Sequence, residues 1–316
     1  MTSNITAHNN KLDSSILPPV LIVEFLLGLP GNAMALWVFR KNMKSWRVNV
    51  MFLFNLVLSD VLLLLSLPFR IDNYLRNETW IFGDAWCRIN LFMLAVNRSA
   101  SIAFMTAVAF DRYFKVVHPH HVINHMNLKQ GTCVSCFIWG VVIALRTPLL
   151  ANNLLSNTSH CRSFGHEKLS LGIRLHYVVF IFEFFVPLIF LIFCSVSIAC
   201  KLRSRRMDKG KRGQRAIRTV LVIIGVFIFC FFPSVATGLF GLHLKSLGKD
   251  VSNPDHLFSQ WFQTSLAFTY LNSALDPVIY CFSSSIFFNY LKRTLNRIGF
   301  LQLELNRRGC MQNGND

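Results

Sequence analysis

Three arginines stand inside long apolar stretches of the sequence, where a charged side chain is costly. Arg98 lies in "MLAVNRSASIAF", Arg70 in "LPFRIDNYL" and Arg146 in "IALRTPLL". A guanidinium stays charged in a protein, and it binds a carboxylate through two parallel hydrogen bonds. Each arginine could therefore hold an anionic ligand or form an ion pair inside the protein. The acidic neighbours that would form such pairs are Asp72 for Arg70 and Glu183 for Arg146.

The spacing of residues around Arg98 predicts that its side chain faces the protein interior. On a helix that turns about 100° per residue, Arg98 lies within about 20° of the face of Cys87. Ser101 and Arg112 continue the same stripe. Because Cys87 must look toward an outer loop and Arg112 toward other helices, we expect Arg98 at the floor of an outward-facing pocket. We predict that Arg98 anchors the ligand, with an internal ion pair as the alternative.

The elements that position these arginines are apolar blocks of membrane-spanning length. The chain is 53% hydrophobic and 15% charged, with a mean hydropathy of +0.43. Blocks of roughly 20 to 28 residues match a hydrocarbon core about 30 Å thick, and the period-2 alternation of a β-barrel is missing. We predict an all-α bundle of seven transmembrane helices, at about 17–40, 49–72, 87–115, 130–151, 173–200, 216–243 and 259–282.

The basic residues predict how the chain lies in the membrane. The formal charge is +17, and "KLRSRRMDKGKRGQRAIR", between the fifth and sixth blocks, holds nine Lys or Arg and one Asp. This placement beside the membrane indicates a topology signal and contact with lipid, and it argues against nucleic acid. The positive-inside rule predicts an extracellular amino terminus, a cytoplasmic carboxyl terminus and a plasma-membrane location.

The predicted organisation has four parts. An extracellular segment at 1–16 precedes the transmembrane domain at 17–284, and a short cytoplasmic tail at 299–316 ends the chain. Between them, residues 285–298 predict an amphipathic helix on the membrane surface, with Phe287 and Phe288 facing lipid.

Cysteines and glycosylation sequons agree with this orientation. Cys87 and Cys161 are the two cysteines predicted outside, where oxidising conditions favour a disulfide between them. Cys310, in the basic tail, is a weak candidate for palmitoylation. Glycosylation is predicted at the sequons expected outside, which are Asn4, Asn77 and Asn157.

Motif residues follow one another through the seven blocks in a familiar order. They are Asn32 after "GLPG", Asp60 in "NLVLSD", "DRY" at 111–113, Trp139, Pro187, "FCFFP" at 229–233 and "NSALDPVIY" at 272–280. Together they resemble the rhodopsin-like (class A) G-protein-coupled receptors over nearly the whole chain. Two positions depart from that pattern: Phe231 replaces the usual Trp, and Asp276 replaces the usual Asn.

This resemblance implies two groups of residues with distinct roles. A switch that faces the G protein would comprise Asp111, Arg112, Tyr113, Asp276, Pro277 and Tyr280, with Arg112 paired to Asp111 at rest. An allosteric sodium site would comprise Asp60, Asn32, Ser101, Asn272, Ser273 and Asp276. A hydrogen-bonded cluster without an ion is the alternative for the second group, and no other cofactor is expected.

A closer resemblance joins the chain to the group of hydroxycarboxylic acid and oxo-eicosanoid receptors. It is carried by "LFMLAVNRSAS", "FRIDNYLRNETWIFGD" and "SLAFTYLNSALDPVIYCFSS", and the last two are most similar to the oxo-eicosanoid receptor. In that group, an arginine corresponding to Arg98 holds the ligand carboxylate. The resemblance further implicates residues beyond Arg98 and Arg70, namely Ser163, Phe164, His176 and Tyr270. Gly238 stands where the small-acid receptors carry another arginine.

The predicted function is a receptor for a carboxylate, foremost an oxidised polyunsaturated fatty acid, which signals through an inhibitory heterotrimeric G protein. Arrestin recruitment through the tail is expected to be weak, since residues 300–316 contain neither Ser nor Thr. A small hydroxycarboxylic acid is the alternative ligand. An anion transporter is the alternative from another class of protein. Transporters usually contain internal repeats, however, and the sequence shows none. Catalytic motifs are also missing, so we expect no enzyme.

Overall fold

The computed structural model describes residues 2–42, 46–151, 160–162, 171–204, 211–246 and 257–297. Side chains are described for 17–42, 46–151, 160–162, 175–203, 213–243, 261–294 and 296. The predicted site residues Ser163, Phe164 and Asn157 lie outside these ranges, as do Cys310 and the tail at 299–316. For Asn4 the backbone alone is described.

The described residues form helices and contain no β-strand. The long helices are α1 (Thr2–Lys41), α2 (Val48–Leu75), α3 (Gly83–Val117), α4 (Leu128–Arg146), α5 (Leu171–Ser204), α6 (Lys211–Ser246) and α7 (Leu257–Ser283), followed by the shorter α8 (Ser285–Arg297). A 3₁₀ turn at Val122–His125 precedes α4, and a single helical turn at Pro148–Ala151 follows it. The predicted seven-helix architecture is confirmed, although α1 already begins within the predicted segment 1–16.

Six of these helices are long and apolar enough to cross a membrane by length and composition alone. They are α1 to α6, and α7 is not among them. The physical reason is the polar content of α7, whose inward face buries Gln263, Ser265, Thr269, Asn272, Ser273 and Asp276. Because α7 packs against α6, α1 and α2, these groups meet protein partners and not lipid.

Local sequence explains where several helices begin and end. Asn127 and Gln130 form a reciprocal capping box at the start of α4, with hydrogen bonds of 2.9 and 3.0 Å. After α2, Asn77 and Glu78 adopt positive φ angles of 53° and 62°. This turn is held because the Glu78 amide donates to the Asn73 carbonyl and the Glu78 carboxylate pairs with Arg162.

A close approach of two helices places α1 against the middle of α7. A Cβ atom on Gly31 would lie 2.6 Å from Cγ of Pro277, which is too short for any real contact. Glycine at this position therefore allows α1 to lie directly on the proline of α7. Pro187 in α5 and Pro233 in α6 occupy equivalent mid-helix positions, where each removes a backbone hydrogen bond.

The two ends of the bundle differ in what closes them. At the end that we call the disulfide end, Cys87 at the start of α3 is bonded to Cys161, the pair named from the sequence. At the opposite end, α8 lies against α1. Phe287 is fully buried there against the rings of Phe39 and Tyr280. The expectation that Phe287 faces lipid is therefore wrong, whereas Phe288 is exposed.

Candidate ligand site, polar cluster and basic cavity

Arg98 lies in the middle of α3 with its side chain turned into the bundle. It is 6% exposed, and its guanidinium lies 3.8 Å from the ring centroid of Phe180 and 5.3 Å from that of Phe231. Its amino groups donate to Ser234 Oγ at 3.2 Å and, over 3.5 Å, to the Phe180 carbonyl. Within the described part of the chain, no carboxylate lies within 4.0 Å of Arg98.

The surroundings of Arg98 therefore compensate its positive charge only in part. Both hydrogen-bond acceptors are neutral, and Nε has no acceptor among the described residues. Aromatic faces attract a guanidinium, but more weakly than a carboxylate in a bidentate pair. A buried cation in this state has the chemistry of an anion site.

Arg146 is buried more deeply than Arg98, and its donors are used inside the protein. It is 1% exposed and forms an ion pair with Glu183 of α5. Its Nε donates to Ser99 Oγ at 2.8 Å, and a terminal nitrogen lies 2.8 Å from Nδ1 of His176. The Glu183 partner named from the sequence is thus the partner in the structure. The predicted ligand residue His176 contacts Arg146.

Arg70 is the third inward arginine, and it lies toward the disulfide end. It donates to the Cys161 carbonyl at 3.1 Å and to the Tyr74 hydroxyl at 3.4 Å. The suggestion that Asp72 neutralises Arg70 is wrong, because the Asp72 carboxylate pairs at 2.8 Å with Arg76 on the surface. Tyr270 of α7 lies within electrostatic range of both Arg70 and Arg98.

Aromatic rings flank α6 on the disulfide side of Ser234. Gly238 lies one turn along α6 from it, and a Cβ there would be 3.4 Å from the rings of Phe180 and Phe262. Gly238, the position at which the resemblance to small-acid receptors would imply an arginine, is therefore flanked by two aromatic side chains. Phe180 and Ser234, which provide the two hydrogen-bond acceptors of Arg98, were not predicted from the sequence.

The predicted sodium residues form one buried polar cluster around Asp60. One oxygen of Asp60 accepts from Ser273 Oγ at 2.6 Å, and the other accepts from the Tyr280 hydroxyl at 2.8 Å. Tyr280 also donates to Asn32 at 3.2 Å, and Asn272 donates to Asp276 at 3.0 Å.

Two members of this neighbourhood differ from the expectation. Ser101 shares a hydrogen bond of 3.0 Å with Ser59, away from the Asp60 carboxylate. Asn97 was not predicted, yet its side chain donates to the Ser59 carbonyl at 2.9 Å and points toward Asp60. The polarity of Asn97 inside a span was the signal that could have found it.

The donor set of this cluster fits a small hard cation. Oδ1 of Asp276 and Oδ1 of Asn272 are buried, and neither has a hydrogen-bond donor among the described residues. Carboxylate, amide and hydroxyl oxygens are the ligands that such cations prefer. Asp60, Asp276 and Asn272 are the residues that would hold it.

A cavity of about 610 Å³ opens at the end of the bundle opposite the disulfide. Its walls carry four basic side chains, and we call it the basic cavity: Arg47, Arg112, Lys115 and Arg215 line it together with Asn49, Val50, Val116, Ala216, Ser283, Ser284, Ser285 and Ile286. Tyr280 is not part of this lining, because its hydroxyl is bound in the Asp60 cluster. Of the predicted switch residues, Arg112 alone lines the cavity.

The "DRY" residues at this end are paired differently from the expectation. Asp111 forms its short ion pair with Lys115, at 2.7 Å, and reaches Arg112 only at 4.0 Å. Arg112 donates instead to the Ser283 carbonyl at the end of α7, at 2.8 Å. Tyr113 lies nearby, with its hydroxyl 3.1 Å from Nε2 of His118.

Comparison with known proteins identifies the family. Residues 31–280 match the family described as 7 transmembrane receptor (rhodopsin family). The chain belongs to this family. It is 44% identical to the rat hydroxycarboxylic acid receptor 2 over 90% of this chain and 79% of that receptor. It is 39% identical to the human oxoeicosanoid receptor 1 (91% and 74%) and 34% identical to the mouse 12-(S)-hydroxy-5,8,10,14-eicosatetraenoic acid receptor (94% and 93%).

Membership of the rhodopsin family decides between the classes that the sequence had left open. The protein is a G-protein-coupled receptor of the hydroxycarboxylic acid and eicosanoid type, a multi-pass protein of the plasma membrane. Its relatives are receptors and not enzymes. The transporter alternative is therefore set aside, and a G protein is the expected kind of partner.

Proposed function

We propose that this receptor binds a long-chain carboxylate, foremost an oxo- or hydroxy-eicosanoid acid, through the guanidinium of Arg98. The observation that carries the proposal is the state of that side chain. It is buried, it has neutral acceptors only, and no described carboxylate lies within ion-pair distance. A ligand carboxylate would supply the missing charge and two acceptors in the geometry that guanidinium prefers.

The hydrocarbon part of such a ligand has suitable surroundings. Phe180 and Phe231 stack on Arg98, and Phe262 lies with Phe180 around Gly238. Apolar and aromatic walls with one charged group are typical of sites for amphipathic ligands. Two of the relatives bear the names of oxidised eicosanoid ligands, which are acids of this kind.

A small hydroxycarboxylic acid is the second candidate ligand. It is favoured by sequence identity, because the rat hydroxycarboxylic acid receptor 2, at 44%, is more similar to this chain than the human oxoeicosanoid receptor 1, at 39%. The same Arg98 anchor would serve a small acid. The two candidates differ in whether a long hydrocarbon chain is required for binding.

The contacts of Arg98 suggest how binding would reach the basic cavity. Its two hydrogen bonds join α3 to Ser234 of α6 and to Phe180 of α5. A carboxylate that draws the guanidinium away weakens both links, and α6 extends to Arg215 and Ala216 in the basic cavity. Binding activates the receptor only as far as it favours the active packing of the helices. The G protein that binds there is proposed to be of the inhibitory type.

The experiment measures ligand-stimulated nucleotide exchange on inhibitory and stimulatory G proteins in membranes that carry the full chain. The probes are 12-(S)-hydroxy-5,8,10,14-eicosatetraenoic acid, its methyl ester and lactate. We expect a response to the long acid alone, on the inhibitory protein. Arg98→Gln should weaken it on the order of a hundredfold.

The matched control for this experiment is Arg76→Gln, which removes an exposed arginine and should leave the response unchanged. A response to lactate alone would favour the small-acid candidate. An unchanged response of Arg98→Gln at equal surface expression would overturn the anchor.

Orientation and modification belong to the same proposal. The basic cavity would face the cytoplasm and the disulfide end the exterior, in agreement with the positive-inside rule. Asn77 is exposed in the turn after α2, so it would be glycosylated. An amino-terminal epitope tag accessible on intact cells, and a mass shift on glycosidase treatment that Asn77→Gln reduces, would support both points.

A further inference from the structure

A partly buried ion pair, between Arg146 and Glu183, lies beside Arg98. Ser99, the next residue of α3, accepts a hydrogen bond of 2.8 Å from Arg146. Phe180, whose carbonyl accepts from Arg98, lies one helical turn before Glu183 on α5. Both Glu183 and Arg146 act electrostatically on Arg98. We call these three side chains the charge cluster: Arg98 and Arg146 are buried, and Glu183 is partly buried.

The charge cluster carries one net positive charge. Arg98 and Arg146 contribute two cations, and Glu183 contributes one anion that is paired with Arg146. His176 contributes no charge. Its Nδ1 lies 2.8 Å from Arg146, and because a guanidinium can only donate, this nitrogen must accept the hydrogen bond and carries no proton. The charge that remains uncompensated belongs to Arg98, since the donors of Arg146 already have protein acceptors.

We propose that Glu183 determines which head-group charge the site accepts, so that the receptor selects monoanionic ligands over dianionic ones. One negative charge neutralises the cluster, whereas a second would have no counter-charge within the cluster and would be buried there at considerable cost. The inference rests on the proposed function, since it assumes that the ligand head group lies at Arg98. It adds that Glu183 and Arg146 control specificity without touching the ligand.

Substitution of the pair gives a series of net charges around an unchanged Arg98. Glu183→Gln raises the cluster to +2, Arg146→Gln lowers it to 0, and the double variant Arg146→Gln/Glu183→Gln restores +1. Glutamine keeps the approximate size and hydrogen-bonding groups of Glu183. In Arg146→Gln the freed Glu183 carboxylate becomes an internal counter-ion for Arg98 and competes with the ligand.

The probes share one hydrocarbon chain and differ in head-group charge. They are 12-(S)-hydroxy-5,8,10,14-eicosatetraenoic acid, its methyl ester, and the phosphate monoester of the corresponding alcohol. The acid is a monoanion, and the phosphate carries about −1.5 to −2 at pH 7. Affinities are measured by competition against the radiolabelled acid in membranes carrying the full chain, at fixed ionic strength, with nucleotide exchange as the second readout.

We expect ligand selectivity to depend on the net charge of the cluster, whether or not the ion pair is present. The wild type should bind the acid and discriminate against the phosphate. Glu183→Gln should reduce that discrimination on the order of tenfold, and Arg146→Gln should weaken binding of the acid by a similar factor. The double variant should recover both properties. A purely structural ion pair also allows the double variant to recover, because neither charge is then left unpaired. It differs in predicting that the affinities for the acid and for the phosphate change by the same factor in every variant.

Each contrary outcome identifies what has failed. If the wild type binds the acid and Arg98→Gln does not, but the phosphate is discriminated equally in every variant, the inference about Glu183 is wrong and the anchor stands. If the wild type binds no acid, or Arg98→Gln binds it normally, the proposed function fails and takes this inference with it. If Glu183→Gln does not reach the membrane, the ratio of acid affinity to phosphate affinity in Arg146→Gln, compared with that ratio in the double variant, decides.

Discussion

The hydroxyl of Tyr280 in α7 donates a hydrogen bond of 2.8 Å to the carboxylate of Asp60 in α2. The same ring contacts Phe39 of α1 and Phe287 of α8, with ring centroids 5.9 and 5.8 Å away. Tyr280 thus joins the buried polar cluster in the bundle to the helix that closes its basic end. Tyr280 is therefore one physical link between the two regions.

Tyr280→Phe should therefore destabilise the receptor. It keeps the ring contacts but removes the donor to Asp60 and Asn32, and an acceptor left unsatisfied in the interior costs about 1 to 3 kcal/mol. We expect a lower thermal unfolding midpoint of the detergent-purified receptor. Tyr290→Phe is the matched control, because the Tyr290 ring packs on Trp37 at the surface of α8. Equal midpoints for the two variants would contradict the role assigned to the Tyr280 hydroxyl.

Sodium should stabilise the receptor through the oxygens of the Asp60 cluster. Replacing N-methylglucamine chloride by sodium chloride at constant ionic strength is expected to raise the thermal midpoint of the wild type. Asp276→Asn should abolish this sodium-dependent rise of the midpoint. The buried Oδ1 of Asp276 has no donor among the described residues, and in the variant the negative carboxylate is replaced by a neutral amide. The measurement is a thermal shift in both salts.

The control for the sodium prediction is Asp72→Asn, which alters a partly exposed carboxylate paired with Arg76. This variant should retain the full sodium increment. A wild type that responds equally to both salts would leave the cluster as a hydrogen-bonded structure without an ion.

Gly31→Ala should impair the packing of α1 on α7. The added methyl group would meet Pro277 at 2.6 Å, and the proline ring is a rigid obstacle within its helix. Overpacking of this kind costs about 1 to 3 kcal/mol. Gly140→Ala is the matched control, since a Cβ there meets nothing within 4 Å and alanine favours the helix. Surface expression and the thermal midpoint should fall for Gly31→Ala alone.

The sequence predicted the helices well because each apolar block carries its own length signal. The structure places α2 at Val48–Leu75 and α3 at Gly83–Val117, against predicted spans at 49–72 and 87–115. The helix ends beyond these spans depend on polar residues near the membrane surface, which hydropathy does not register. For α7, the motif residues predicted a membrane-spanning helix more strongly than the hydropathy did.

The closest cations to Asp72 and Asp111 differ from the expected ones for one physical reason. Asp72 was considered with Arg70 two residues away, and Asp111 with the adjacent Arg112. On a helix, residues four apart face each other and residues one or two apart do not. The structure accordingly pairs Asp72 with Arg76 and gives Asp111 its short contact with Lys115. This rule was available from the sequence alone.

The neighbours of Arg98 could not be derived in the same way. Ser234 lies on α6 and Phe180 on α5, and the contact of each with Arg98 depends on how three helices cross. Helical periodicity gives the direction in which Arg98 points, but it does not identify the residue that it meets. The partner of Arg146 could be named because Glu183 is the one acidic residue of the fifth apolar block.

Lys115 is predicted to weaken the hold of Asp111 on Arg112. Its ammonium occupies Asp111 at 2.7 Å, while Arg112 stays at 4.0 Å and donates to the Ser283 carbonyl. Removing this competitor leaves Arg112 as the nearest cation to Asp111. If pairing of these two residues holds the resting state, Lys115→Gln should lower basal nucleotide exchange.

The size of this effect follows from the exposure of the pair. Partly exposed ion pairs contribute about 0.2 to 1 kcal/mol, which corresponds to a change of up to about fivefold in a two-state equilibrium. Basal exchange on the G protein is compared at equal surface expression, with Lys129→Gln as the control because Lys129 is exposed at the start of α4. A rise in basal exchange for Lys115→Gln would mean that Lys115, and not Arg112, is the partner through which Asp111 stabilises the resting receptor.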